Sequence, residues 1–216
     1  MERKASLPLY AAAFVISLVI FFVGIYIGQL IDQSNLQSVS AEVERVSQKA
    51  SSLQLLMLME GNSSFCPVYL SELSSVSDEV EKVGYKLSYL EDEKHAYDPE
   101  LKKQYFVLEA ESYLLSKKAR QLCGDRSVLL MYFYSNGGCA SCRQQGNDIL
   151  AARDAAETGN VSVKLFSFDG DLGSPVADAF ANQYNITTYP SIVVNDRVYP
   201  GYHDPGTLAT IIKGAS

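Results

Sequence analysis

The feature that most constrains this chain is an uninterrupted apolar run near its amino end. From Ala5 to Ile31 there are 27 residues without a charge, densest between Leu9 and Ile27. About 20 apolar residues at ~1.5 Å each cross the ~30 Å hydrocarbon core of a bilayer, so the run is long enough to span. A cleaved leader has an apolar core of only ~7–15 residues and a small-x-small cleavage pattern. The stretch Gly24-Ile25-Tyr26-Ile27-Gly28-Gln29-Leu30 offers no such pattern, and a retained transmembrane helix over 9–31 is expected. Arg3 and Lys4 precede it, whereas Arg45 is the only basic residue from Asp32 to Val46. The positive-inside rule then places residues 1–8 in the cytoplasm and everything after the span outside, a single-pass arrangement. The net charge is -7, and Glu2, Arg3 and Lys4 together contribute +1, which leaves the outer part at -8. That balance suits a domain facing water and excludes the basic face that nucleic acid requires. Sequons at Asn62, Asn160 and Asn185 are compatible with the outer side but arise often by chance.

Residues 32–123 read as three helices. Leu36, Val39, Val43, Val46, Ala50, Leu53 and Met57 recur in alternating steps of three and four, the seam of a packed helix. Glu60-Gly61-Asn62-Ser63-Ser64 breaks the pattern. A second seam runs Leu73, Val76, Val80, Val83, Leu87 and Leu90, with Pro67 near its start. Asp98-Pro99 is a helix-start signal, and Leu101, Tyr105, Leu108, Leu115, Ala119 and Leu122 share the third face before Gly124 ends it. Short connections favour an antiparallel up-down-up bundle; a parallel coiled-coil stalk through the first helix uses the same seam and stays open. Either way, a stalk of ~40 Å is expected to hold the C-terminal domain away from the lipid. The up-down-up path brings Cys66 and Cys123 to the membrane-distal end, where they are expected to form a structural disulfide; exchange with a second dithiol is the alternative.

From residue 124 the pattern changes to α/β. Val128 to Tyr134 is a continuous apolar and aromatic run, the pattern of a buried strand. Ser135-Asn136-Gly137-Gly138 is a turn, and a helix is expected from Cys139 to Thr158, with Cys139-Ala140-Ser141-Cys142 at its start. A helix N-terminus stabilises a thiolate on the first cysteine, and the second stands one turn behind, within reach of a mixed disulfide. Arg143 adds positive charge beside them. Half a zinc site looks the same, but Cys66, Cys123, His95 and His203 supply no second close pair, so no metal and no cofactor are expected. A strand over Val161–Phe168 and a helix from about Pro175 to Tyr184 come next. After them stand Tyr189-Pro190, a strand from Ser191, a turn at Asn195-Asp196, a strand at Arg197-Val198-Tyr199, and a last helix near Asp204 to Lys213.

This order of elements and motifs, over roughly Ser127 to Ser216, resembles the thioredoxin superfamily. The resemblance implies a central sheet flanked by helices, with Pro190 in cis before an edge-forming strand facing the CxxC. It implies Cys139 as the attacking and Cys142 as the resolving catalytic cysteine, with Tyr189 and Pro190 meeting a substrate chain. Two departures stand out: Phe133 occupies the place of the buried acid of many thioredoxins, and the central pair is Ala140-Ser141 with no tryptophan before it. The family's usual first strand is also missing. The expected activity is thiol–disulfide exchange on extracytoplasmic protein cysteines, with reduction, oxidation and isomerisation all open. A non-catalytic scaffold or chaperone-like binding module, or a relay to a membrane-embedded oxidoreductase, are the alternatives. Lipid is the expected partner of the first helix.

Overall fold

The structure, a computed structural model, describes residues 7–58 and 65–216. Residues 1–6, the helix break at 60–64 and the Asn62 sequon lie outside the described residues. Helix α1 (Leu7–Leu58) is one continuous helix of 52 residues, where a span and a separate stalk helix were expected. The junction explains the fusion: Asp32 to Val39 holds neither proline nor glycine, so nothing interrupts the backbone ladder as polarity changes. The large apolar side chains from Tyr10 to Ile31 are exposed. From Val39 onward the seam is buried, with Val39, Val43, Val46, Ala50 and Leu53 at most 5 % accessible.

Helix α2 (Phe65–Asp92) returns antiparallel to α1, since Glu42 pairs with Lys86 while Arg45 pairs with Glu79. Helix α3 (Pro99–Cys123) runs parallel to α1, with Ser47 facing Glu111. Asp98 caps its start by accepting from the Glu100 and Leu101 amides at 3.0 and 3.1 Å, and Gly124 ends it at φ 66°. Such a cap contributes on the order of 1 kcal/mol, and the left-handed φ is why glycine stands there. Gly84 lets α2 approach α3 closely, because a Cβ there would strike the Tyr105 hydroxyl.

The remainder forms a four-stranded mixed sheet. Strands β1 (Val128–Tyr134) and β2 (Val163–Asp169) are parallel, joined by helix α4 (Cys142–Thr158). After helix α5 (Pro175–Gln183), β3 (Ser191–Val194) pairs antiparallel with β1, and β4 (Arg197–Pro200) pairs antiparallel with β3. Helix α6 (Pro205–Ala215) closes the chain, and the strand order is β2-β1-β3-β4. Asn195 and Asp196, at φ 46° and 70°, make the tight turn between β3 and β4. Asn160 and Asn185 have left-handed φ just past α4 and α5, so backbone geometry already accounts for asparagine at both sequons.

The pleat sends Val128, Leu130 and Tyr132 to the face packed with Ile149, Ala152, Leu208 and Ile212 of α4 and α6. Leu129, Met131 and Phe133 point the other way and join a core continuous with the three-helix bundle. Helix α3 makes that continuity. One stripe, with Leu101, Leu108 and Leu115, fills the bundle; a second meets the sheet, where Phe106 packs edge-on to Phe168 and Tyr113 edge-on to Phe166 and Phe180. The chain therefore turns at residue 124, but the hydrophobic core does not divide there. Leu122, expected on the buried face, is 43 % exposed because α3 is ending beside it.

Burial of α3 on both sides encloses Glu109, which is 3 % accessible. Tyr105 donates its hydroxyl to Glu109 Oε1, while Oε2 has no hydrogen-bond partner. Burial outweighs the Tyr105 bond and pushes the carboxyl from the ordinary 4.5 to about 8. Below about pH 4.5 the group is neutral whether folded or unfolded. Between there and about 8 only the folded chain keeps the proton, so stability falls as pH rises through that window. Glu109→Gln is expected to flatten this slope and to stabilise the chain at pH 8 by on the order of a few kcal/mol, at ~1.4 kcal/mol per pH unit. Thermal unfolding of the detergent-solubilised chain from pH 5 to 9 reads it directly.

Candidate active site

The C-terminal end of β1 gathers the chemistry. Its continuation, Ser135-Asn136-Gly137-Gly138, is held by two carboxylates from the end of β2. Asp171 Oδ2 accepts from the Gly137 amide and the Ser135 hydroxyl, both at 2.7 Å, and these bonds hold its carboxyl below the usual range, the Ser135 bond foremost. Asp169, 3 % accessible, accepts from Asn136 Nδ2 at 2.7 Å and from the Asp171 amide at 2.9 Å. Lys102 of α3 stands 3.6 Å from Asp169 and donates to Glu91 of α2 at 2.7 Å. A polar chain Glu91–Lys102–Asp169–Asn136 thus runs from the helical bundle into the loop that carries the cysteines.

Helix α4 starts at Cys142, with Ser141 as N-cap, rather than at Cys139. Ala140 and Ser141 form a turn in which the Cys142 amide donates to the Cys139 carbonyl at 3.4 Å. Cys139 therefore lies ahead of the helix, toward its unpaired amide end. It is half-buried, Cys142 is 5 % accessible, and the two form a disulfide with Cα atoms 5.4 Å apart. Tyr132 on β1 donates to the Cys142 carbonyl at 2.6 Å, and burial holds its hydroxyl protonated well above the usual range. Gln145, fully buried, bridges to the loop after β4, accepting from the His203 amide at 2.6 Å and donating to its carbonyl at 3.1 Å. Tyr202 donates to Asp148 of α4 at 2.8 Å.

The Tyr189–Pro190 peptide is cis, and Pro190 immediately precedes β3, whose Ser191 lies opposite Phe133 of β1. Pro190 and the cysteines therefore share one end of the sheet. Strand β3 is internal, flanked by β1 and β4, and not the edge expected; the hairpin partner β4 occupies that edge instead. The backbone beside the site outside the ladder is Thr187–Tyr189. The Tyr189 ring lies over Gly170 so closely that a Cβ there would collide with it. Burial, then Asp171, raises the Tyr189 hydroxyl above its usual range. Phe133 is 1 % accessible and stacks on Phe168 at 5.6 Å, so the buried acid at this end is Asp169, on the neighbouring strand. Arg143 is exposed and faces Asp92 at 3.4 Å, so its charge is shared with α2 instead of directed at Cys139 alone.

Cys66 and Cys123 form the second disulfide, Cα atoms 5.3 Å apart. Cys123 lies before the start of β1, and Cys139 beyond its end. Seven extended residues at ~3.3 Å separate the two bridges by roughly 20 Å or more. Exchange requires sulfur on sulfur, so the bridges do not exchange directly within one chain in this conformation. Among the described residues no cluster of three or more His, Cys, Asp or Glu is arranged to hold a metal. Lys102, Asn136, Gln145, Asp169 and Tyr202 carry no signal in the sequence, where each reads as an ordinary polar surface residue.

The dithiol after β1 and the cis proline before β3 stand at one end of a sheet ordered β2-β1-β3-β4 with helices on both faces. No protein-family model matches the sequence, and no curated protein matches it. Among solved structures the chain is similar to chloroplastic thioredoxin z, at 14% identity and a TM-score of 0.36, over 46% of this chain and 88% of that one.

Breaking a buried ion pair costs about 3–5 kcal/mol, whereas an exposed pair contributes under ~1. Lys102→Met is accordingly expected to lower the unfolding free energy by about 3 kcal/mol and Arg143→Ala by less than ~0.5, measured by urea titration under matched conditions. The Cys66–Cys123 bridge spans 57 positions. Replacing both by serine is expected to cost about 4 kcal/mol in the same titration. Thiol exchange at Cys139 should stay within twofold of the parent, read with a soluble pyridyl disulfide.

Proposed function

We propose that the chain is a membrane-anchored thiol–disulfide oxidoreductase that acts on cysteines of extracytoplasmic proteins. The observation that carries this reading is the asymmetric dithiol: a half-exposed Cys139 before a helix, a buried Cys142 behind it, and Pro190 at the same end of the sheet. In the reducing direction, the Cys139 thiolate attacks one sulfur of a partner disulfide. That bond breaks, and the partner's other sulfur leaves as a thiolate and takes a proton from water. Cys142 then loses its proton and attacks Cys139, which closes the internal disulfide and releases the partner's second thiolate. Two electrons and two protons pass to the partner; the reverse sequence oxidises it. Tyr189 and Pro190 orient the partner chain beside the sulfurs, and neither metal nor cofactor is required. The Cys66–Cys123 bridge serves structure.

The anchor rests on the exposed apolar helix from Tyr10 and on the placement of Arg3 and Lys4 before it in the sequence. These support an extracytoplasmic position for the C-terminal domain, with residues 1–8 cytoplasmic, 9–31 in the membrane, 32–123 helical and 124–216 thioredoxin-like.

Cys139→Ser is expected to reduce exchange with a protein disulfide at least 10³-fold, while Cys142→Ser should still attack and accumulate a mixed disulfide on non-reducing gels. Activity that survives replacement of both cysteines overturns this reading in favour of a binding module. The couple's reduction potential sets direction: about -270 mV indicates a reductant and about -120 mV an oxidant.

A further inference from the structure

We infer that the dithiol faces the membrane, and that its partner is an integral membrane protein whose cysteines lie at the outer lipid–water boundary. The inference rests on the proposed thiol-exchange function and adds the partner class to it.

Three contacts fix the height of the site along α1. Lys86 of α2 pairs with Glu42, and α2 descends from there toward the apolar run. Asp92, six residues further on, stands ~9 Å lower, level with about residue 36 of α1. Independently, Glu111 of α3 is level with Ser47, so Lys102, nine residues earlier, is level with about residue 38. The Glu91–Lys102 pair ties the two estimates together. Asp92 meets Arg143, next to Cys142, and Lys102 meets Asp169 at the C-terminal end of β2. Strands β1 and β2 therefore run antiparallel to α3, back toward the membrane, and the cysteines lie at their lower end. Ile31, the last residue of the apolar run, is five to seven residues below that level, about 8–11 Å.

Each headgroup layer is ~5–8 Å thick, so the site sits close above it. That gap is much smaller than the ~30 Å diameter of a small folded domain, which has no room between the site and the lipid. Cysteines at the outer ends of membrane helices fit the gap. A separate feature agrees: Tyr89, Tyr97, Tyr189 and Tyr202 are exposed on elements that end at this level, and tyrosine is the side chain that settles at a lipid boundary. The bundle thus does not raise the dithiol above the lipid, as a stalk would; it turns the dithiol back toward it.

The test uses the full chain in phosphatidylcholine vesicles with synthetic single-span helices. Each helix carries one cysteine activated as a pyridyl disulfide, placed 2, 6, 14 or 22 residues outside its apolar stretch. Release of pyridine-2-thione reports attack by Cys139. The expected rate peaks near position 6, at least tenfold above position 22. Inserting seven helical residues between Gln33 and Ser34 raises the site by ~10 Å with little rotation, and should move the peak outward by about seven positions. A flat profile, or a peak at the outermost position, in the unmodified chain overturns the inference, as does a peak that ignores the insertion. Failure with a soluble pyridyl disulfide would instead overturn the thiol-exchange function on which the inference rests.

Discussion

Everything else in this architecture depends on the burial of α3 between two hydrophobic surfaces. A helix with one apolar stripe can complete a bundle or cover a sheet. Helix α3 does both, with Leu101, Leu108 and Leu115 on one side and Phe106 and Tyr113 on the other. Fully burying side chains of this size contributes ~1.5–3 kcal/mol each, which far exceeds any surface ion pair between the two halves. The sheet therefore has its covering helix supplied by the bundle, and the two cannot separate without exposing Phe106, Phe166 and Phe168. A bundle packed in this way is one layer of the domain and not a spacer beneath it.

The same sandwiching forces polar groups on α3 to find partners indoors. Lys102 does so through Glu91 and Asp169, and Asp169 passes the constraint to Asn136 in the cysteine loop. Glu109 finds only Tyr105 and stays protonated. These two residues show opposite solutions to enclosure: an ion that is matched, and an acid that gives up its charge. The position of the cysteine loop is thus tied to the helical bundle through buried groups, whereas the Arg143–Asp92 contact on the surface adds little.

Much of this was legible in the sequence, and the parts that were not have a common cause. The α2 seam from Leu73 to Leu90 is buried throughout, because a heptad seam records packing against neighbouring helices. Asp98-Pro99 and Gly124 mark the ends of α3 because unpaired backbone groups demand particular residues there. The β1 run and the Asn195-Asp196 turn were equally plain. The second stripe of α3 was not, since Phe106 and Tyr113 occupy positions that a single-seam reading assigns to solvent. The return of β1 toward the start of α3 leaves no periodic signal either: it comes from a four-residue connection, Gly124 to Ser127, and from how two faces match in space. Lys102, Asp169 and Gln145 acquire meaning only once distant segments meet.

The bridge between Cys66 and Cys123 has a topological consequence. It joins the first turn of α2 to the last turn of α3, so these helices and the connection at 93–98 form a covalently closed ring. A break in the backbone of that connection would divide the sequence between α1 and the sheet without parting the two covalently. Parting the two halves would require a reductant as well as a cut, so their covalent connection depends on the redox state of the surroundings.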